Sequence, residues 1–363
     1  MDGKTSPQTW KTWAMARTPK ASATAAGAEP ILHLAARAED AIHDLREKHA
    51  RRRGHIPTVV PYAGYGAPGW ARVLCRVLLT KPTAGNYPRY KKIRGWRSFT
   101  SVPVNDIAVT IGIGELEQRV EADRGGVVDT VLEVDLAPGW HAITLRTDET
   151  ETVEARVFIV DPAVTIGIIS DVDDTVMVTA LPRPFLAAWN TFVLDEHARR
   201  PVPGMAVLYE RLTRSHPGMP VFYLSTGAWN VAPTLTRFLS RNLYPAGPLL
   251  LTDWGPTHDR WFRSGRNHKV DTLKRLSREF PDMRWLLVGD DGQHDEEIYG
   301  QFAESHPHQV EAVAIRQLSN SEAVLAGGRT KSEAHSSRSA PWVYAPDGAG
   351  LAERLGDSGL FQP

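Results

Sequence analysis

Residues 164–175 read Val-Thr-Ile-Gly-Ile-Ile-Ser-Asp-Val-Asp-Asp-Thr. Seven residues of continuous, mostly apolar chain end in a serine, and three carboxylates follow within four positions. An apolar run of that length reads as a strand buried on both faces. Four similar runs come after it: MPVFYLS ending at Ser225, PLLL at 248–251, WLLVG at 285–289 and VEAVAIR at 310–316. Helix-like stretches lie between them, such as VAPTLTRFLSRNL (231–243) and VDTLKRLSREF (270–280). Apolar strands alternating with helices predict an α/β domain with a parallel sheet covered on both faces. Ligands of such sheets sit beyond the carboxyl ends of the strands.

The chemistry-bearing residues fall at those ends. Asp171, Asp173 and Asp174 repel one another, and burying them without compensation costs several kcal/mol each, so a cation is expected among them. Oxygen ligands in a tight loop suit Mg²⁺. Asp171 and Asp173 are two apart on an extended segment and can face the same way, one attacking phosphorus while the other donates a proton. Ser225, with Thr226 and Gly227 behind it and a helix soon after, can hold phosphate oxygens through its hydroxyl and nearby N–H groups. Lys269, in Asn267-His268-Lys269 just ahead of a predicted helix, can neutralise a phosphoryl group and the nucleophile. Gly289-Asp290 closes another strand; Asp290 is a natural second carboxylate for the metal. Of the acids that follow, Asp291 and Asp295, Asp295 is placed to pair with Lys269 or to support the metal site. Each piece alone fits an ordinary turn or surface; their order along the chain is what carries the reading.

Working outward, residues 57–162 look all-β and sandwich-like, with short runs such as ARVLCRVLL (71–79) and TVEARVFIV (152–160) separated by turn residues. Asp161-Pro162 ends that texture. Residues 1–56 read as a disordered start followed by an amphipathic helix over 31–53, and 321–363 as a mobile tail with Pro341-Trp342-Val343-Tyr344 as a docking candidate. The chain's 363 residues are too many for one ordinary core. Its 42 basic and 42 acidic side chains cancel, which gives no charge argument for nucleic-acid binding. A single cysteine, Cys75, excludes an internal disulfide and fits a reducing compartment. No apolar run is long enough to span a bilayer, and the N-terminus has no apolar signal region. The expected location is cytoplasmic, with peripheral membrane contact open to the amphipathic helix and to Lys91, Lys92, Arg94, Trp96 and Arg97.

The order DVDDT, strand-ending serine, lysine, GD resembles the haloacid dehalogenase superfamily of phosphotransferases. The wording is closer to one branch. DVDDT, PVPGM (201–205), FYLSTGAWN (222–230), LTDWG (251–255), HK (268–269) and VGDDGQHDEEIY (288–299) resemble the actin-patch phosphatidate phosphatase family and its bacterial relatives over about residues 165–320. One departure is Thr226-Gly227-Ala228, where many relatives are expected to carry a Ser-Pro pair.

The resemblance implies a Rossmannoid catalytic domain over 163–320 and an aspartyl-phosphate mechanism. Asp171 would be the nucleophile and Asp173 the general acid and base. Mg²⁺ would be held by Asp171, the Asp173 carbonyl and Asp290. Ser225, Thr226 and Lys269 would bind the phosphoryl oxygens, and Thr175 and Asp174 would brace the loop. Little chain separates Thr175 from Pro203, so no large cap is expected, and an open site suits a bulky or membrane-embedded lipid phosphate. Trp189, Phe192, Trp229, Trp254, Arg260, Trp261, Phe262, Arg263 and Arg266 are the candidates for contact with it. The leading expectation is phosphatidate hydrolysis. The alternatives are a phosphoprotein, a nucleic-acid end or a soluble phosphoester as substrate, or a non-enzymatic scaffold that binds lipid or protein. The five histidines at 258, 268, 294, 306 and 308 match no common zinc spacing, and oligomeric state is not encoded in any motif.

Overall fold

Alternation and turn chemistry account for the first half of the chain. The computed structural model describes residues 44–82, 101–178, 200–252, 258–292, 294–325, 340–357 and 359–361. Residues 44–52 are helical; the rest of the helix expected over 31–53 and the basic stretch at 91–97 lie outside the described residues. Nine strands follow: β1 (Ile56–Pro61), β2 (Gly64–Ala67), β3 (Gly69–Thr80), β4 (Val102–Pro103), β5 (Ala108–Ile113), β6 (Leu116–Glu121), β7 (Val127–Val134), β8 (Gly139–Arg146) and β9 (Val153–Ile159). They are one hydrogen-bonded network in the order β1-β3-β2-β9-β8-β5-β6, with β4 and β7 also on β3. The region expected to be all-β and sandwich-like is thus all-β, with its strands joined in one hydrogen-bonded network. The twelve-residue β3 joins the network, pairing with β7 along its first part and with β1 along its last.

Strand β3 also has two buried faces. Ala71, Val73, Cys75, Val77 and Leu79 point into the β core. Leu74 and Leu78 point the other way, into the core of the second half of the chain. A period of two thus lets one strand serve two cores. Residues 50–363 form one compact unit, and the expected boundary at 162 falls within it.

The second half is the expected parallel sheet, in the order β14-β13-β10-β15-β16-β17. Its strands are β10 (Ile166–Asp171), β13 (Val221–Ala228), β14 (Leu249–Thr252), β15 (Arg284–Asp290), β16 (Val310–Arg316) and β17 (Trp342–Ala345). A two-strand antiparallel pair, β11 (Met177–Val178) and β12 (Arg200–Pro201), follows the first of them. The helices are α1 (Met205–Ser215), α2 (Ala232–Arg241), α3 (His258–Glu279), α4 (Asp295–Ser305), α5 (Asn320–Leu325) and α6 (Gly348–Asp357). Every residue of β10 is buried, as its apolar run and central position require. Among the described residues no helix is long and apolar enough to cross a membrane.

The expected mobile tail is corrected over 340–357. β17 adds a parallel edge strand to β16, and α6 packs Leu351, Ala352 and Leu355 into the core. The docking is close. A Cβ on Gly348 would sit 2.2 Å from the Gly204 carbonyl carbon, and Gly204 in the PVPGM motif has φ +73°, a conformation glycine adopts without penalty.

Candidate active site

Asp171 ends β10 with only 2% of its surface exposed. Lys269 Nζ donates to Asp171 Oδ1 at 2.6 Å and to Asp295 Oδ1 at 2.6 Å. Lys269 does not precede a helix: it lies inside α3, which starts eleven residues earlier at His258 and spans 22 residues. The helix therefore delivers the ammonium sideways to the strand end rather than from its tip. Asp295 opens α4, and its Oδ2 accepts from the Asp290 N–H at 3.4 Å. Gly289 makes this approach possible, since a Cβ there would lie 2.6 Å from Asp295 Oδ2. Both Asp295 oxygens are thus engaged, and Asp295 rather than Asp291 is the carboxylate bonded to Lys269. Asp291 turns away to accept from the Leu318 N–H at 2.8 Å.

Asp290 ends β15, with its Oδ1 accepting from the Gly292 N–H at 2.6 Å. Ligand oxygens of Asp171, Asp290 and Asp295 lie within 4.8 Å of one another. Burial, above all, lifts the Asp171 carboxyl well above the ordinary carboxylate range; Lys269 opposes the rise, and Asp295, Asp173 and Asp290 add to it. Asp290 is raised well above its ordinary value too, first by burial and then by Asp295 and Asp174. Burial works against the Lys269 charge, yet Asp171 and Asp295 outweigh it and hold the ammonium firmly protonated. A buried all-oxygen donor set whose negative charge exceeds its one ammonium fits a hard divalent cation better than it fits itself.

On the other side of Asp171, the Ser225 hydroxyl donates to Asp173 Oδ2 at 2.9 Å and accepts from the Gly227 N–H at 3.0 Å. The serine expected to face phosphate is here bonded to the expected acid. A register shift between β13 and β14 makes this geometry. Leu224 pairs with Leu250 but Ala228 with Thr252, so Ser225 to Gly227 bulge out of the ladder. The Thr226 carbonyl accepts from the Thr252 hydroxyl at 3.2 Å, which secures the bulge rather than a ligand. Thr175 is fully buried and its Oγ1 has no partner among the described residues. Asp174 takes a left-handed conformation at φ +58°.

Several residues around the site carry no signal of their own in the sequence. Ser170 Oγ donates to the Asp171 carbonyl at 2.6 Å and meets Tyr209 Oη at 2.5 Å. Tyr244 donates to the Val176 carbonyl at 2.9 Å. Arg316 donates to the Asp174 carbonyl at 2.7 Å; a charge closing an apolar strand was the one visible clue to it. Trp229, a candidate for lipid contact, is instead 5% exposed and stacked on Tyr62 of the β-rich half, with ring centroids 4.6 Å apart. Arg266 is partly exposed and pairs with Glu297. Trp189, Phe192 and Trp254, and the side chains of residues 260–263, lie outside the description. His268 packs beside Leu250 O at 3.3 Å, and burial lowers its pKa to about 4, which keeps it neutral near pH 7.

Comparison with known proteins finds similarity over the part of the chain that carries this geometry. The family model described as phosphatidate phosphatase APP1, catalytic domain, matches residues 166–317. Phosphatidate phosphatase APP1 of Saccharomyces cerevisiae is 29% identical over 157 residues, 43% of this chain and 26% of the yeast protein. An uncharacterized protein of Schizosaccharomyces pombe is 26% identical over 154 residues, 42% of this chain and 25% of that protein. The matched segment thus spans about a quarter of either relative. Among solved structures, a carbohydrate acetylesterase from Xanthomonas citri is similar at TM-score 0.30 and 8% identity, over 83% of this chain and 73% of that one, too slight a likeness to assign a fold. Over 166–317, the stretch that holds the buried carboxylate cluster, the chain is similar in sequence to the APP1-like phosphatidate phosphatase family that its motifs resemble.

Proposed function

We propose that this chain is a magnesium-dependent phosphatase of the haloacid dehalogenase type, hydrolysing phosphatidate to diacylglycerol and phosphate through an aspartyl-phosphate on Asp171. The observation that carries this reading is the buried Asp171 carboxylate at the end of the central strand, bonded to Lys269 at 2.6 Å and grouped with Asp290 and Asp295. The similarity to a phosphatidate phosphatase over the same residues supports it.

Asp171 attacks phosphorus in line, forming a bond from its carboxylate oxygen as the bond from phosphorus to the lipid oxygen breaks. Asp173, protonated, gives its proton to the departing alkoxide. Water then attacks the acyl phosphate, Asp173 takes the proton, and phosphate leaves with Asp171 restored. The Ser225 hydroxyl orients Asp173 before substrate arrives and turns to a phosphoryl oxygen afterwards, with Thr226 alongside. Lys269 offsets charge on the equatorial oxygens as it spreads in the transition state. Asp171, Asp290 and the Asp173 carbonyl are the residues for Mg²⁺, which when bound screens the repulsion between nucleophile and phosphate. Asp174 and Thr175 shape the loop, and Asp291 fixes the turn beyond Asp290. The enzyme acts in the cytoplasm, at the surface of a membrane that presents the lipid.

Phosphate release from phosphatidate in mixed detergent micelles, with Mg²⁺ or with EDTA and beside a panel of soluble phosphoesters, tests this. Magnesium-dependent release favouring phosphatidate is the expected result. Release from the soluble panel alone keeps the mechanism and removes the lipid; no release from either overturns the reading.

A further inference from the structure

The nucleophile loop holds a backbone conformation that needs outside support. Asp174 has φ +58°, which costs a non-glycine residue on the order of 1 kcal/mol or more and persists only where the surroundings enforce it. Within the loop, the Asp174 N–H donates to the Met177 carbonyl at 2.8 Å, and Val176 and Met177 donate back to the Val172 carbonyl at 3.0 and 3.1 Å. One outside contact at Asp174 is Arg316, the last residue of β16 and only 5% exposed. Its three donors reach three segments: Nη1 to the Asp174 carbonyl at 2.7 Å, Nη2 to Glu322 Oε1 at 2.7 Å, and Nε to the Pro346 carbonyl at 3.2 Å. A planar guanidinium can hold three such acceptors at fixed angles, which an ammonium cannot.

We infer that Arg316 is a positioning residue for the proposed reaction: it locks the left-handed Asp174 peptide, and so the spacing of Asp171 and Asp173, onto a C-terminal strand and helix that lie beyond the segment shared with the family. Residues 340–357 are then a working part of the catalytic unit. Pro346 O completes the guanidinium's anchorage, and the Gly348 N–H donates to the Pro203 carbonyl of the PVPGM motif at 2.9 Å. The inference rests on the phosphatase reading for its consequence in turnover, but not for the loop itself.

The test is Arg316→Met in the full chain, with Arg316→Lys read in the same way should the first not fold. Amide hydrogen exchange is followed at 174–177 and in β10, β15 and α1, beside kcat and KM for phosphatidate in Mg²⁺-containing micelles. Expected are exchange at 174–177 at least tenfold faster with the three other elements unchanged, a kcat lowered at least tenfold, and a KM within about threefold, since small displacements of reacting groups cost rate more than binding. Unchanged exchange at 174–177, or exchange accelerated equally throughout the sheet, overturns the inference. So does a full kcat with a loosened loop. A wild-type chain without turnover counts against the phosphatase reading, and the exchange measurement then decides the inference alone.

Discussion

The two halves of the ordered unit use charge in opposite ways. In the β-rich half, charged residues pair at the surface, as in Arg119 with Asp148 at 2.6 Å and Arg146 with Glu117 at 3.2 Å, around an apolar cluster that includes Val73, Val77, Ile111 and Leu145. In the α/β half, Asp171, Lys269 and Asp295 are buried together at the ends of the strands. The first arrangement adds little to stability and serves solubility; the second costs stability, as expected of a site kept for chemistry. The β-rich half nevertheless reaches the other. Arg72 pairs with Glu279 at 2.6 Å, Tyr65 donates to the same carboxylate at 2.8 Å, and Arg76 donates to Asn230 beside Trp229. It works as a buttress for the helix that carries Lys269 and for the turn after Ser225.

The sharpest way to break this comparison is to remove the nucleophile. Asp171→Asn should lower phosphate release by about 10³-fold or more with the fold intact, because an amide cannot form the acyl phosphate. Full turnover in that variant would falsify the mechanism. Lys269→Met comes next. It strands two buried carboxylates, so turnover should drop by about 10²-fold and stability by about 3–5 kcal/mol, read by urea unfolding at pH 7.

Metal and pH come third. Asp171 and Asp290 have folded pKa values raised above their unfolded ones, so the folded, metal-free protein binds more protons than the unfolded chain. The stability they contribute is complete below about pH 4, the unfolded carboxylate value, and is lost as pH rises through the folded values. A divalent cation bound there, as proposed, would replace those protons. Mg²⁺ should therefore raise the melting temperature more at pH 8 than at pH 5.5, and Asp290→Asn should lose most of that response. An equal shift at both pH values would mean that the cation binds elsewhere.

The β-rich half should respond more mildly. Tyr65→Phe removes a partly buried hydrogen bond to a carboxylate and should cost about 1–2 kcal/mol in urea unfolding while leaving kcat within twofold. The smallest effect is expected at the surface: Arg119→Ala should leave both the unfolding midpoint and turnover unchanged. A loss of turnover there would show that the β-rich surface takes part in substrate handling.

Local chemistry made much of this legible in advance. A run of apolar residues ending in acids predicts a strand with its function at the tip, because alternation, burial and charge repulsion all act over a few residues. Asp171 and Asp290 were placed at strand ends that way, and Asp295 was read as a partner for Lys269 or a support for the metal site. The misread elements depend on residues far apart. Trp229 looked available for lipid until Tyr62, 167 residues away, covered it. Residues 340–357 read as a tail apart from the docking candidate at 341–344, because a four-residue edge strand and a short helix carry little pattern of their own.

The sequence by itself determined which strands would be buried and which acids would crowd together at their ends. These follow from the free energy of hiding apolar surface and the cost of crowding like charges. Only the tertiary structure decided that Asp295 rather than Asp291 holds Lys269, that Ser225 binds Asp173, and that Arg316 fastens the loop to Pro346. Those choices depend on angstrom-scale distances between segments tens to hundreds of residues apart, which hydrogen-bond geometry fixes and spacing along the chain does not.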